Sequence, residues 1–214
     1  MASHDEATTE PSQTPRDGTF SRRRVLRHAG LAIGGATFGG ALLGVPAQQA
    51  TSASSFSRNI EILNFALLVE EAQAGLYAAA VRQGKLSADL RRFAQQAGTD
   101  ERAHVALLRR LLRGRVRQER LRRLRFDART WSDRTLTEAA GALEHAATST
   151  YIGQGANLTP DFVIPLARIT AVDARHAAWI AAITGANPAP RAQDAAETPE
   201  KTLATLRRIG LLTS

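Results

Sequence analysis

Two short strings place an acid three residues ahead of a histidine: Glu101-Arg102-Ala103-His104 and Asp173-Ala174-Arg175-His176. The chain has no cysteine, so any metal must be held by oxygen and nitrogen, a ligand set that suits iron and manganese. On a helix, positions three apart lie roughly 60° apart and one turn along, so both side chains of a pair can reach one point beside the helix. Two further acids, Glu70 and Glu144, each sit alone in the middle of a mostly apolar stripe. Brought together and left empty, these carboxylates would repel one another and suffer desolvation, which raises their pKa values. Two divalent cations would cancel the four negative charges, with both imidazoles neutral.

The stripes have helical period. In steps of three and four, one segment gives Leu63, Leu67, Glu70, Ala74, Tyr77 and Val81, and a second gives Leu90, Ala94, Ala97, Glu101, His104, Leu108 and Leu111. A third gives Thr137, Ala140, Glu144, Ala147 and Tyr151, and a fourth gives Phe162, Leu166, Ile169, Asp173, His176, Ile180 and Ile183. Ala and Leu dominate the composition and β-branched runs are few, which favours helices over strands. The fold expected is all-α, a four-helix bundle with a long crossover between the second and third helices. The helices should run from about Arg58 to Arg82, from Ser87 to Arg113, from Ser132-Asp133 to Gly153-Gly155, and from Thr159-Pro160 to Gly185. Ser87 suits a helix cap, Gly114 suits a stop, and Pro165 should bend or delay the fourth helix. A tail from Thr198 to Leu212 could form a short amphipathic helix.

One carboxylate from each of two helices, with acid-x-x-His from each of the other two, resembles the ferritin-like di-iron and di-manganese proteins. Within them, Ile62-Leu63-Asn64-Phe65-Ala66-Leu67 ahead of Glu70, and Ala174-Arg175-His176-Ala177-Ala178-Trp179, resemble an exported bacterial ferritin-like domain family. The resemblance covers about residues 58–185. It implies that Glu70 and Glu144 are single carboxylate ligands, that Glu101 and Asp173 bridge two metals, and that His104 and His176 are terminal ligands. It also implies that Tyr77 and Tyr151, each seven residues after a carboxylate, hydrogen-bond a ligand from a neighbouring helix. Asp173 departs from the family's usual Glu and is shorter by one methylene, which leaves a single-metal or asymmetric site open. His145 points about 100° away from Glu144 and is expected to be solvated or interfacial. Glu71 and Asp100 fall beside ligands on the wrong face and are expected to be surface charges.

The first 20 residues are polar, carry Pro11, Pro15 and Gly18, and are expected to be disordered. Ser21-Arg22-Arg23-Arg24-Val25-Leu26-Arg27 and the uncharged, glycine-rich stretch from Ala29 to Val45 then resemble a twin-arginine export signal, with Arg22 and Arg23 as the pair. The stretch is short for a bilayer span of about 20 residues, which makes an uncleaved anchor the second reading. Cleavage is expected after Ala47, with Ala53 the alternative. The chain thus divides into a signal region (1–47), a linker (48–57), a bundle (58–185) and a tail (186–214). Export would be by the twin-arginine machinery, to the periplasm or another extracytoplasmic space.

The formal charge is +8, and removing residues 1–47 leaves +7. Arg109 to Arg125 holds nine arginines and one acid, Glu119. An anionic partner would suit such a run, and so would a solvated crossover. Export and the lack of an interleaved aromatic argue against nucleic acid. Two ferrous ions, or manganese in their place, could react with dioxygen or peroxide. Sequestration of metal without turnover is a second reading, and a stable bundle with a relic site is a third. A monomer or small oligomer is expected.

Overall fold

The computed structural model describes residues 47–83, 85–126 and 130–213, with side chains from residue 54 onward. The chain divides into Met1–Gly44 and Val45–Ser214, and every described residue belongs to the second unit. Arg22, Arg23 and the rest of the expected signal up to residue 46 lie outside the described residues.

Six helices make up the described chain: α1 (Ala47–Gln83), α2 (Ala88–Leu112), α3 (Gln118–Leu121), α4 (Asp133–Gly155), α5 (Pro160–Ile183) and α6 (Pro199–Arg208). The four long ones form the expected bundle. α1 packs chiefly on α2 and α4 on α5, and the two pairs meet through α1 with α4 and α2 with α5. Among the described residues no helix is long and apolar enough to cross a membrane.

α1 starts earlier than the sequence suggested. Residues 48–57, expected to be a linker, belong to the helix. They contain neither glycine nor proline, so nothing in them breaks a helix once it has begun. From Ile62 to Glu70 every α1 residue is buried, because other elements cover this helix on more than one side. Its apolar stripe is accordingly broader than a single bundle seam.

The helix ends are set by local chemistry, though not always by the expected side chain. Ser132 caps α4 with a full capping box: Ser132 Oγ accepts from the Thr135 backbone N–H, and Thr135 Oγ1 accepts from the Ser132 N–H at 2.8 Å. Ser87 occupies the cap position of α2 but makes no side-chain cap bond; its backbone N–H donates to Asp133 Oδ1 at 2.9 Å. Pro165 lies inside α5, and the helix still begins at Pro160, so the expected delay does not occur. α2 stops where Arg113 turns left-handed (φ 47°) and Gly114 follows at φ 82°.

The arginine-rich crossover is fastened to α1. Asn64, buried in α1, donates to the Arg115 carbonyl at 2.9 Å and accepts from the Arg117 N–H at 2.7 Å. Glu61 pairs with Arg117 and with Arg120 at 2.8 Å, and Glu71 pairs with Arg109 at 2.5 Å. Arg123 donates to the Thr213 carbonyl at 2.9 Å, tying the run to the C-terminal end. Several of the nine arginines therefore fasten the crossover, whatever else they meet. At its far end Phe126 lies over Gly75 so closely that a Cβ there would enter the ring. α6 docks on α4 through Thr150 and Thr202, whose hydroxyls stand 2.7 Å apart.

Candidate metal centre

Glu70 on α1, Glu101 on α2, Glu144 on α4 and Asp173 on α5 are all fully buried, and His104 and His176 are nearly so. The helices bring all six to one level of the bundle. His104 Nδ1 stands 3.0 Å from Glu70 Oε2, 2.9 Å from Glu101 Oε2 and 3.6 Å from Asp173 Oδ1. His176 Nδ1 stands 3.0 Å from Glu101 Oε1 and 3.7 Å from Glu144 Oε2. Two groups of potential ligand atoms result, each contained within 4.8 Å: Glu70, Glu101, His104 and Asp173, and then Glu101, Glu144, Asp173 and His176. Glu101 and Asp173 belong to both. The shorter Asp173 side chain still offers an oxygen to each group.

Hydrogen bonds within the protein leave this cluster incomplete. Glu101 Oε1, both Asp173 oxygens and His176 Nδ1 are buried and lack hydrogen-bond partners. Buried polar groups in that condition are costly unless something else satisfies them. Cations fit the need, since every orphan is a lone-pair donor of the kind that binds iron or manganese.

The electrostatics say the same. Burial pushes Glu101 well above the usual carboxylate range, and the charges of Glu70, Glu144 and Asp173 push it further. Burial raises Asp173 likewise, helped by Glu70 and Glu144. For Glu70 burial also pulls upward, but hydrogen bonds with His104 and Glu101 and the His104 charge bring the net below the ordinary value. Without metal, burial and mutual repulsion thus favour the neutral form of Glu101 and Asp173 more than that of Glu70. Burial lowers His176, yet its contacts with Glu144 and Asp100 raise it overall.

A surrounding shell holds the carboxylates. Tyr151 donates to Glu70 Oε1 at 2.6 Å and Tyr77 donates to Glu144 Oε1, so each phenol serves the carboxylate of the other helix, as the resemblance implied. Gln73 donates to Glu144 Oε2 at 2.9 Å. Both phenols are held well above their ordinary pKa, first by burial and then by those carboxylates, so they remain donors.

A protein-family comparison made on this chain matches a ferritin-like domain model over residues 58–186. The chain belongs to the ferritin-like domain family. No curated protein matches it. In this ferritin-like domain the matched span begins in α1, ends just beyond α5, and includes all six clustered residues.

Two residues around the cluster escaped the sequence reading. Asp100, expected on the surface, places Oδ2 3.2 Å from His176 Nε2. A position one step back along α2 turns away from its own seam but toward α5, and the expectation considered only the seam. Gln73 follows Glu70 by three, the same spacing as the acid-to-histidine pairs, and that was its signal. The other two exclusions match the structure: His145 is exposed, and Glu71 is half-buried in its pair with Arg109.

Proposed function

We propose that this ferritin-like domain holds two divalent cations, iron or manganese, and reacts with dioxygen or peroxide in a ferroxidase-like or peroxide-consuming role outside the cytoplasmic membrane. The observation that carries the reading is the pair of overlapping ligand groups that share Glu101 and Asp173 and contain orphaned lone pairs. When bound, two ferrous ions supply two electrons to the oxidant.

The roles of the chain's own residues follow from their places. Glu101 and Asp173, which belong to both ligand groups, would be shared between the two ions, Glu70 and Glu144 would each serve one of them, and His104 and His176 would each offer Nδ1. With Nε2–H donated to Asp100, His176 keeps its Nδ1 lone pair free for metal. Tyr77 and Tyr151 hold the outer carboxylates in place. Each also lines a surface cavity, Tyr77 one of about 420 Å³ with Arg82 and Arg102, and Tyr151 one of about 290 Å³ with Leu166 and Ala171. Delivery by a twin-arginine signal suits a cofactor loaded before export, and the domain acts as a monomer or small oligomer.

The complete burial of all four carboxylates favours one second reading, in which the bundle sequesters iron or manganese without turnover. Ferrous ion added to the apo-protein under oxygen separates the two. A transient visible band with ferric product supports the redox reading, whereas binding without oxidation supports sequestration. The relic reading wins if neither metal binds. In the redox case, Glu101→Ala removes a carboxylate shared by both groups and should abolish oxidation; retained activity would sink the two-metal mechanism.

A further inference from the structure

Phe93, fully buried on α2, touches three rings at once. Its ring lies edge-on to Tyr77 at 5.5 Å, to His176 at 6.3 Å and to Trp179 at 5.3 Å, with interplanar angles of 89°, 88° and 89°. Tyr77 bonds Glu144, and His176 faces Glu101, so two of the three neighbours belong to the cluster or its shell. The third, Trp179, is partly exposed. A run of aromatic rings therefore reaches from the buried carboxylates to solvent. The chain has two tryptophans and two tyrosines, and one of each lies on this run.

We propose that Trp179 is a one-electron relay for the centre, coupled to it through Phe93. The proposal rests on the redox reading above. Indole is among the side chains most readily oxidised, while the Phe93 ring stays unoxidised and fills the gap with π density. Edge-to-face packing also fixes the rings relative to one another, which keeps the coupling constant.

The relay has a use whenever the centre offers fewer electrons than the oxidant takes. Hydrogen peroxide needs two electrons and two protons to become two waters. One ferrous ion held by the cluster would supply one of these electrons. The Trp179 indole gives the other, loses its Nε1 proton and becomes a neutral indolyl radical. That proton and one from solvent complete the two waters. A one-electron reductant in solution, such as ascorbate, then returns an electron, and a solvent proton returns to Nε1.

The test uses the full chain loaded with one equivalent of ferrous ion, mixed with hydrogen peroxide and freeze-quenched for electron paramagnetic resonance. Wild type and Trp131→Phe should show an indolyl radical beside the ferric signal. Trp179→Phe should lose the radical and keep both the ferric signal and the metal stoichiometry. Phe93→Leu should lower the radical yield, with metal titration and melting confirming that the bundle is intact. An undiminished radical in Trp179→Phe, or a tyrosyl radical in both proteins, overturns the relay. Ferric ion with no organic radical in wild type overturns the relay alone. Ferrous ion left unoxidised overturns the redox reading and the relay together.

Discussion

His176 is held from one side, with Asp100 Oδ2 3.2 Å from its Nε2, while its Nδ1 stands 3.0 Å from Glu101 Oε1 with no hydrogen bond between them. Asp100 thereby selects the tautomer that leaves Nδ1 able to bind a cation. The position before Asp173, equivalent to Asp100 before Glu101, is Val172, so the same arrangement is not repeated at His104. Asp100→Asn should weaken the ion next to His176 by about 10–100-fold, the usual cost of losing such an outer partner. Anaerobic titration should resolve one weakened site and one nearly unchanged. Equal weakening of both would show that Asp100 does not act through His176.

The crossed phenols make a second prediction. Tyr151→Phe removes the donor to Glu70, and Tyr77→Phe removes the donor to Glu144. Glu144 keeps the Gln73 bond on its other oxygen, whereas Glu70 keeps its contact with His104. Each variant should cost the apo-protein roughly 1–3 kcal/mol, the range for a buried acceptor losing its partner. Urea unfolding of both single variants and the double variant would measure this, and a departure from additivity is expected because Glu70 and Glu144 both act on Glu101 and Asp173.

Much of the bundle was legible because each seam repeats at helical period and is interrupted at one level by ligand-type residues. Glu70, Glu101, His104, Glu144, Asp173 and His176 all fall on those seams, so periodicity alone brings them together. Periodicity fails where a contact leaves the seam. Asp100 reaches a neighbouring helix from beside its own stripe, and the α1 extension over residues 48–57 shows no stripe at all, only the absence of breakers. The fastening of the crossover by Asn64 and Glu61 joins residues over fifty positions apart, and no local pattern reports such pairs.

Gly75 tests that fastening. A methyl group there would enter the Phe126 ring, so Gly75→Ala must displace the end of the crossover or strain α1. Overpacking of this kind costs about 1–3 kcal/mol. Chemical denaturation should show the loss, and adding Phe126→Leu should recover part of it. If Gly75→Ala alone is neutral, Phe126 is not held against α1 in solution.

A cation bound at the cluster would compete with protons for the same oxygens, and this sets the expected pH dependence. Glu101 and Asp173 have folded-state pKa values above their ordinary 4.5 and 3.8, so the folded apo-protein binds more protons than the unfolded chain just above those values. Stability from both is fully present below the ordinary values and is lost as pH rises through the raised ones. His176 adds a loss of the same sign above its ordinary 6.5. Glu70, lowered from 4.5, opposes them only in acid, where its contribution is lost as pH falls. The apo-bundle should therefore melt lower at about pH 8 than at about pH 5, while iron or manganese should raise the melting temperature more at the higher pH. Glu101→Gln removes one of the repelling charges and should stabilise the apo-protein near neutrality, each 1 kcal/mol appearing as roughly 2–4 °C for a domain of this size. The same variant should lose the metal-dependent shift. A Glu101→Gln protein that melts below wild type in the absence of metal would mean that the four carboxylates are not in electrostatic conflict, and the case for cations at this site would lose its main support.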